Sequence, residues 1–233
     1  QVMNIGVIGF GARASHVVFS MLRACGEARL AAIADPDEAG VRRRLGAMGA
    51  DGAGVKLFRS SREMLEGAPR LDAIVIGAQC DRHVEEALTA LPYGAPIFLE
   101  KPVATSFADL ARLSRGWALH PTPVVVSFPL RFTPLVRLAR RIVESGRIGS
   151  VEHVQAVNNV PYGNIYYQGW YRNEKVTGGL FLQKATHDFD YIRYLVGAEP
   201  TAVTAMTSKR VFRGSRPAGL SCRVCGERES CPE

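Results

Sequence analysis

Residues 4–14 read Asn-Ile-Gly-Val-Ile-Gly-Phe-Gly-Ala-Arg-Ala, and the N-terminal half of the chain is organised around them. The apolar run 4–8 is typical of a buried parallel strand. It ends at Gly9, which begins a G-x-G-x-x-A pattern with Gly11 and Ala14. The first glycine permits a tight turn, the second lets the backbone approach a pyrophosphate, and the small third residue lets the next helix pack on the strand. The pattern predicts a dinucleotide site at a helix N-terminus.

An acidic residue closes the second apolar run. Asp35 follows residues 30–34, where a carboxylate can accept hydrogen bonds from the adenosine ribose and would repel a 2′-phosphate. This favours NAD over NADP. Arg42 and Arg43 keep NADP open, because a guanidinium can pair with that phosphate. Asp35 can also start the next helix within Asp-Pro-Asp, and the two roles are compatible.

Strands and helices alternate over the first half of the chain, an order typical of a doubly wound parallel sheet. The predicted strands are 4–8, 30–34, 55–58, 71–76, 96–99 and 122–127. The predicted helices are 12–25, 37–48, 81–91 and 106–117, the last with Ser106 as its N-cap. We therefore expect an α/β Rossmann domain over residues 1–127.

The pattern changes after residue 127. Residues 133–145 and 180–196 favour helices, while 151–160 and 201–208 favour strands. Residues 128–233 are thus predicted to form an α+β domain. Its sheet needs more strands than the chain supplies, so we expect that a C-terminal part is missing from this sequence.

The composition is that of a globular protein. Hydrophobic residues make up 47% and charged residues 22% of the chain, and no apolar run is long enough to span a bilayer. No signal peptide precedes the first strand, which predicts a cytoplasmic location. The net charge of +7 comes from scattered arginines, and no aromatic residues interleave with the densest cluster at 42–44, so a nucleic-acid partner is disfavoured. The positive charge favours anionic small molecules.

Two further residues can carry chemistry. Lys101 follows the strand 96–99, which places its ammonium group at the carboxyl edge of the sheet, where ligands of α/β folds bind. It could stabilise charge on a substrate oxygen, or it could be an ordinary surface lysine. His187 lies in the apolar helix 180–196, where its imidazole could shuttle a hydroxyl proton or belong to the core.

Longer motifs in a fixed order resemble one enzyme family. The motifs are GVIGFGARA (6–14), HVEEALTALPYGAPIFLEKPVA (83–104), RFTPLVRLARRIVESGRIGSVEHVQA (131–156), GWYR (169–172) and GGLFLQKATHDFDYIRYLVG (178–197). Together they are similar to the glucose–fructose oxidoreductase, inositol dehydrogenase and rhizopine-catabolism (Gfo/Idh/MocA) family over residues 4–209. The resemblance implies an NAD(P)-binding Rossmann domain, an α+β domain with an open, mostly antiparallel sheet that mediates homo-oligomers, and sugar- or polyol-like substrates.

The same resemblance implies roles for individual residues. Lys101 would contact the substrate hydroxyl, with a Lys101–Pro102 bond that is often cis, and His187 would transfer the proton as its acid/base partner. The residues expected around the cofactor are Gly9, Phe10, Gly11, Ala12, Arg13, Asp35, Gln79, Glu100 and Lys101. Those expected around the substrate are Arg131, Trp170, Arg172, Gln183 and Lys184, for which packing and surface pairing are the alternative.

The chain departs from the family pattern beside the expected proton-transfer residue. Many relatives carry an aspartate four residues before the histidine, whereas this chain has Gln183 followed by Lys184. An amide cannot hold a neighbouring imidazolium as a carboxylate does. Lys184 could instead supply a second cation near the substrate. Gln79 and Cys80 also stand where a Thr-Pro pair is usual.

Three cysteines lie together near the end of the chain. Cys222, Cys225 and Cys231 have the spacing of a metal knuckle, but a closed zinc site needs four ligands. A metal is therefore only a weak alternative to reduced thiols in a surface insertion. Cys25 and Cys80 are isolated and are expected to be buried or inert.

These features predict an NAD(P)-dependent oxidoreductase that transfers a hydride between nicotinamide and a carbinol carbon of a sugar-like substrate. Two alternatives stay open at the level of the sequence. One is an NAD-dependent glycosidase or eliminase that oxidises its substrate transiently. The other is a non-catalytic dinucleotide-binding sensor.

Overall fold

The computed structural model describes residues 2–49, 54–160, 166–167, 169–208, 217 and 220–231. The chain divides into two compact units, Gln1–Ser127 and Phe128–Glu233. None of the helices in the described ranges has the length and apolar character needed to cross a lipid bilayer.

The first unit is built on one parallel sheet. Its strands are β1 (Met3–Ile8), β2 (Ala28–Ala34), β3 (Lys56–Phe58), β4 (Ala73–Ile76), β5 (Ile97–Leu99) and β6 (Val124–Val126). Its helices are α1 (Ala12–Ala24), α2 (Glu38–Ala47), α3 (Ser61–Gly67), α4 (His83–Ala90) and α5 (Phe107–Leu119). The six strands lie in the order β3-β2-β1-β4-β5-β6, so the order reverses between β1 and β4. Folds of this kind bind ligands at that reversal, and the predicted Rossmann fold is confirmed.

The strands of this sheet are apolar on both faces because helices cover both. Val7, Ile33 and Val75 belong to a buried cluster that also contains side chains of α1 and α2. Ile74 and Ile76 belong to a second cluster, with side chains of α3 and α4. Two packed layers therefore hold the strand ends in place.

One helix cap was predicted from the sequence, and a second cap belongs to a helix that was not predicted. The Ser106 side chain accepts a hydrogen bond from the Asp109 N–H at 3.1 Å, as expected for the N-cap of α5. The short helix α3 was not predicted. Its start resembles a capping box: Ser60 Oγ accepts from the Glu63 N–H at 3.3 Å, and Glu63 accepts at 3.2 Å from the N–H of Arg59, the residue before the N-cap.

The second unit is helical where helices were predicted. It contains α6 (Pro134–Glu144), α7 (Glu174–Thr177) and α8 (Thr186–Val196), and a π-helical turn at Phe181–Ala185 leads into α8. Helix α6 contacts the end of α8, where Arg140 donates a hydrogen bond to Tyr194 O at 2.6 Å. The predicted helix 180–196 is thus formed, with a wider first turn.

The two strands predicted for the second unit do not form. Residues 151–160 and 201–208 are described, and neither segment pairs with another strand. Val157 is 72% exposed and Met206 is 91% exposed. A strand needs a neighbour to bond its backbone N–H and C=O groups, and the described part of this unit offers none. The prediction of strands at these segments is therefore wrong, and the described residues contain no open antiparallel sheet.

Candidate functional site

The glycine turn follows β1 at the carboxyl edge of the sheet. Gly9 has a φ of +79°, and a Cβ built on it would lie 2.5 Å from both Cα and N of Ala78. Only glycine tolerates this left-handed backbone together with such a close approach. The Gly9 N–H donates to Ala34 O at 2.8 Å, which joins the turn to β2. The tight turn predicted for the first glycine is present.

The other two positions of the motif leave room in front of α1. A Cβ on Gly11 would have no heavy atom within 4 Å, so the backbone there faces open space. Ala14 is buried, and a Cβ on Gly77 would come within 2.5 Å of its Cβ, so α1 packs closely on the end of β4. The first turn of α1, which begins at Ala12, carries no acidic residue, and its leading N–H groups have no acceptors within the helix. These residues fit the pyrophosphate of a dinucleotide.

Asp35 follows β2 and faces this turn. Its Oδ2 accepts a hydrogen bond from the Phe10 N–H at 2.8 Å, and its Oδ1 accepts from the Asp37 N–H at 2.9 Å. The carboxylate thus holds the glycine turn and the backbone of Asp37, and Asp37 itself is the N-cap of α2. Each oxygen keeps acceptor capacity for a ribose hydroxyl. Arg42, which kept NADP open, is paired with Glu38 at 2.6 Å on the exposed face of α2.

Phe10 takes part in this region through its backbone. Its side chain is fully buried and lies edge-on to Phe19, with ring centroids 6.4 Å apart. Phe10 at the cofactor site therefore stays a prediction that concerns its main chain, because its ring belongs to the core and only its backbone faces the turn.

The segment Glu100-Lys101-Pro102 follows β5. Glu100 is buried, and its Oε1 accepts a hydrogen bond from Arg13 Nε at 3.2 Å and another from Ser127 Oγ at 3.0 Å. Arg13 lies in the first turn of α1, so this ion pair ties the segment to the glycine turn. The Lys101–Pro102 bond is cis, as the resemblance implied. Lys101 is half-buried beside it.

A histidine missing from the sequence predictions lies between these motifs. His83 is 1% exposed, and its two ring nitrogens face carbonyl oxygens, Nδ1 that of Pro102 at 2.7 Å and Nε2 that of Ala78 at 3.0 Å. Burial lowers the pKa of His83 from its ordinary value, while the two carbonyls act in the opposite direction. Nearby, Gln79 is exposed and precedes a 3₁₀ turn that begins at the buried Cys80.

In the second unit, the candidate base lies on α8. The His187 ring is edge-on to Phe128, with centroids 6.0 Å apart. Gln183 is buried within the π-helical turn, and Lys184 next to it is half-buried. Asp188 accepts a hydrogen bond from Asn158 Nδ2 at 2.8 Å, so the neighbouring carboxylate is already engaged.

The Arg131 side chain is paired with a carboxylate of the same unit. Its Nε and one terminal nitrogen donate to the two oxygens of the buried Asp190, at 2.7 and 2.5 Å. Its guanidinium also lies 5.6 Å from the ring centroid of Tyr194. The hydrogen bonds to Asp190 raise the pKa of Arg131. These contacts favour the packing alternative, and the role of Arg131 in substrate binding stays a prediction.

The remaining substrate candidates lie in one 3₁₀ turn. Trp170 is 43% exposed and stacks on Tyr171, with centroids 4.0 Å apart and planes at 28°. The Arg172 N–H donates to Gly169 O at 3.2 Å, which closes the turn. The structure thus places Trp170 and Arg172 side by side at a partly exposed position.

The cysteines do not form a metal site in the described residues. Cys80 is buried, Cys222 is exposed, and Cys25, Cys225 and Cys231 are partly exposed. Over the described ranges, no three His, Cys, Asp or Glu residues come close enough together to hold a metal ion. The candidate set Cys222, Cys225 and Cys231 is therefore without support from the geometry.

Family models match both units. One, described as the oxidoreductase family with an NAD-binding Rossmann fold, matches residues 3–128. The other, the GFO/IDH/MocA C-terminal domain, matches residues 136–226.

Two curated relatives match most of the chain. Inositol 2-dehydrogenase 2 of Saccharopolyspora erythraea is 30% identical over 209 residues, which cover 89% of this chain and 58% of that protein. The rhizopine catabolism protein MocA of Rhizobium meliloti is 26% identical and is matched over 91% of this chain and 63% of its own length. The chain spans less than two thirds of the length of these relatives.

Solved structures match in the same way. A probable dehydrogenase from Thermotoga maritima has a TM-score of 0.68 at 28% identity, over 84% of this chain and 56% of that one. A myo-inositol 2-dehydrogenase from Lactobacillus plantarum has a TM-score of 0.75 at 22% identity, over 86% of this chain and 58% of that one. The second likeness concerns the fold alone.

Proposed function

Because the chain belongs to the GFO/IDH/MocA oxidoreductase family, we propose that it takes part in hydride transfer between NAD and a carbinol carbon of a polyol or sugar-like cyclic substrate. The observation that carries this proposal is the ion pair between Arg13 and Glu100, at 3.2 Å. It joins the glycine turn to the segment that contains Lys101, so a nucleotide motif and a candidate catalytic group share one sheet edge. The relatives named as inositol dehydrogenases make inositols the first substrates to test.

The first unit would bind the cofactor. The open backbone at Gly11 and the N-terminus of α1 would receive the pyrophosphate, and Asp35 would bind the adenosine ribose. Bound NAD would supply the hydride acceptor. The negative charge of Asp35 favours NAD over NADP.

Lys101 and His187 are the proposed catalytic residues. As the hydride leaves the carbinol carbon, the hydroxyl proton would pass to the neutral His187 ring. The Lys101 ammonium would donate a hydrogen bond to the same oxygen and stabilise its developing negative charge. Trp170, Arg172 and Lys184 remain candidates for substrate contacts, and the second unit is proposed as the substrate and oligomerisation domain.

The first experiment is a fluorescence titration of the chain with NADH and with NADPH. NADH is expected to bind more tightly than NADPH, and Asp35→Ala is expected to weaken NADH binding about tenfold or more, because hydrogen bonds to a charged group are lost. Asp72→Ala is the matched control. Asp72 also accepts a backbone N–H, that of Asn4 at 2.8 Å, but at the amino edge of the sheet. Equal effects of the two substitutions would contradict the proposed role of Asp35.

Activity is tested next with myo- and scyllo-inositol. The proposal expects NADH formation that Lys101→Ala and His187→Ala each reduce by about 100-fold or more. One observation favours the sensor alternative, namely the amide of Gln183, which carries no charge beside His187. A sensor would bind NADH tightly, oxidise no polyol and be unaffected by Lys101→Ala. Retained NAD without net turnover would instead support a glycosidase or eliminase.

A further inference from the structure

His83 begins α4 and connects two segments of the candidate cofactor edge. Its Nδ1 lies 2.7 Å from Pro102 O, and its Nε2 lies 3.0 Å from Ala78 O. The ring is almost completely buried, so no solvent competes for these contacts. A buried hydrogen bond that is shielded from solvent holds its partners in a fixed arrangement.

The two carbonyls belong to backbone that the proposed site depends on. Ala78 follows β4 and touches the glycine turn, since its backbone atoms would lie 2.5 Å from a Cβ on Gly9. Pro102 follows Lys101 directly across the cis peptide bond. The imidazole therefore bridges the end of β4 to the residue next to the candidate catalytic lysine.

The two contacts differ in chemistry. A carbonyl oxygen only accepts hydrogen bonds, and a neutral imidazole has a single N–H to donate. Burial lowers the pKa of His83, with the charges of Glu100 and Lys101 acting in opposite directions on it. The neutral ring is thereby favoured, and the shorter contact assigns its proton to Nδ1, where it is donated to Pro102 O.

We propose that His83 is a positioning residue, whose Nδ1–H bond to Pro102 O fixes the backbone that carries Lys101. This inference rests on the proposed function for its catalytic meaning, because the position of Lys101 matters to the reaction only if Lys101 contacts the substrate. The hydrogen bond itself can be tested without any substrate.

Three substitutions separate the two contacts. His83→Asn keeps an N–H donor near the place of Nδ1, His83→Gln keeps one near the place of Nε2, and His83→Leu keeps neither. All three remove the aromatic ring, so differences among them report on hydrogen bonding. Ser61→Ala is the control, because it removes a partly buried hydrogen bond from Ser61 Oγ to Glu86 in the same unit, away from the lysine segment.

The readout uses the small number of lysines. The chain has five, at positions 56, 101, 175, 184 and 209, so ¹⁵N-lysine labelling gives five backbone amide signals. Lys101→Arg assigns the signal of Lys101. Lys56 in β3 is an internal reference within the first unit. NADH titrations of the same variants give a second, independent readout.

The Lys101 amide signal is expected to differ between His83→Asn and His83→Leu while the Lys56 signal stays in place. His83→Gln should resemble His83→Leu, and Ser61→Ala should resemble the wild type. NADH affinity should stay within about twofold of the wild type in His83→Asn and fall by about tenfold in His83→Leu. If His83→Leu does not fold, the comparison of His83→Asn with His83→Gln decides.

Identical Lys101 amide signals in His83→Asn and His83→Leu would overturn the proposal. A shift of the Lys56 signal as large as that of Lys101 would also overturn it, and so would a Lys101 signal or NADH affinity closer to the wild type in His83→Gln than in His83→Asn. If even the wild type binds no NADH, the proposed function fails. The amide signals then still decide whether His83 positions Lys101.

Discussion

The strand β1 contains one valine and the segment 151–160 contains four, and these valines lie in different environments. Val7 is fully buried, whereas Val154 is 42% and Val157 is 72% exposed. β1 has a neighbour on each side, since Val7 pairs with Ile33 of β2 and with Val75 of β4. In the part of the second unit that the structure describes, residues 151–160 have no strand beside them. An apolar pattern shows that a segment can form a strand, and its neighbours decide whether it does.

The same difference affects the candidate site. Asp35 and Glu100 follow strands whose neighbours fix them, and each is held by hydrogen bonds to the glycine turn or to α1. Trp170 and Arg172 lie in a short 3₁₀ turn of the second unit. Groups that extend from packed strands keep their geometry better than groups on isolated turns. We therefore expect substitutions in the first unit to have sharper effects.

The largest effect is expected for Gly9→Ala. The alanine would need a φ of +79° and would place its Cβ 2.5 Å from the backbone of Ala78. Strain and overlap together should lower the unfolding free energy of the first unit by about 3 kcal/mol or more. The two tryptophans allow a clean measurement, because Trp117 is in the first unit and Trp170 in the second. In a Trp170→Phe background, urea unfolding followed by fluorescence reports on the first unit.

Gly11→Ala is the control for that change. Its Cβ would meet no atom within 4 Å, so the stability of the first unit should fall by about 1 kcal/mol or less. The methyl group would occupy the space that a pyrophosphate needs, and NADH binding should weaken about tenfold or more. A stable Gly11→Ala protein with wild-type NADH affinity would contradict the assignment of the turn.

Much of the first unit follows from its sequence. The pattern G-x-G-x-x-A and the alternation of apolar runs with helices predicted the parallel sheet, the glycine turn and the position of Asp35, because these depend on local rules. The helix α3 was missed because it is short, although Ser60 and Glu63 already formed a capping-box signal.

Contacts between residues distant in sequence could not be read in the same way. Arg131 and Asp190 are 59 positions apart, and His83 and Pro102 are 19 positions apart. No local pattern shows that an arginine will meet a buried carboxylate or that a histidine will lie between two carbonyls. The prediction of strands at 151–160 and 201–208 was wrong for a related reason, because a strand forms only where residues distant in sequence pair with it.

The second largest effect is expected for Arg131→Ala. The substitution leaves Asp190 buried without its two charged donors, which should cost the second unit about 2 kcal/mol. Arg193→Ala is the matched control, because its pair with Glu199 is exposed to solvent and should contribute little to stability. Urea unfolding in a Trp117→Phe background, followed through Trp170, measures both. Unchanged stability in Arg131→Ala, with a raised KM for a polyol, would contradict the packing role and support substrate binding by Arg131.

A smaller effect should appear as a pH dependence of the first unit. Burial lowers the pKa of His83 from 6.5, so the folded state resists a proton that the unfolded state takes up below that pH. The unfolded chain then binds more protons, and the stability contribution present at higher pH is lost as pH falls below 6.5. His83→Asn has no such group, so its stability should fall less between pH 7 and pH 5. Parallel pH profiles of the two proteins would contradict this cause.

The smallest effect is expected for Val157→Thr. Because Val157 is 72% exposed, a hydroxyl there stays in water, and the stability of the second unit should change by about 0.5 kcal/mol or less. The same substitution at the fully buried Val7 places a hydroxyl among apolar side chains and should cost the first unit about 1–3 kcal/mol. Each is followed through the tryptophan of its own unit. If Val157→Thr lowers stability as much as Val7→Thr does, residues 151–160 are covered in solution. The difference in exposure between Val7 and Val157 would then not be a property of the segment 151–160 itself.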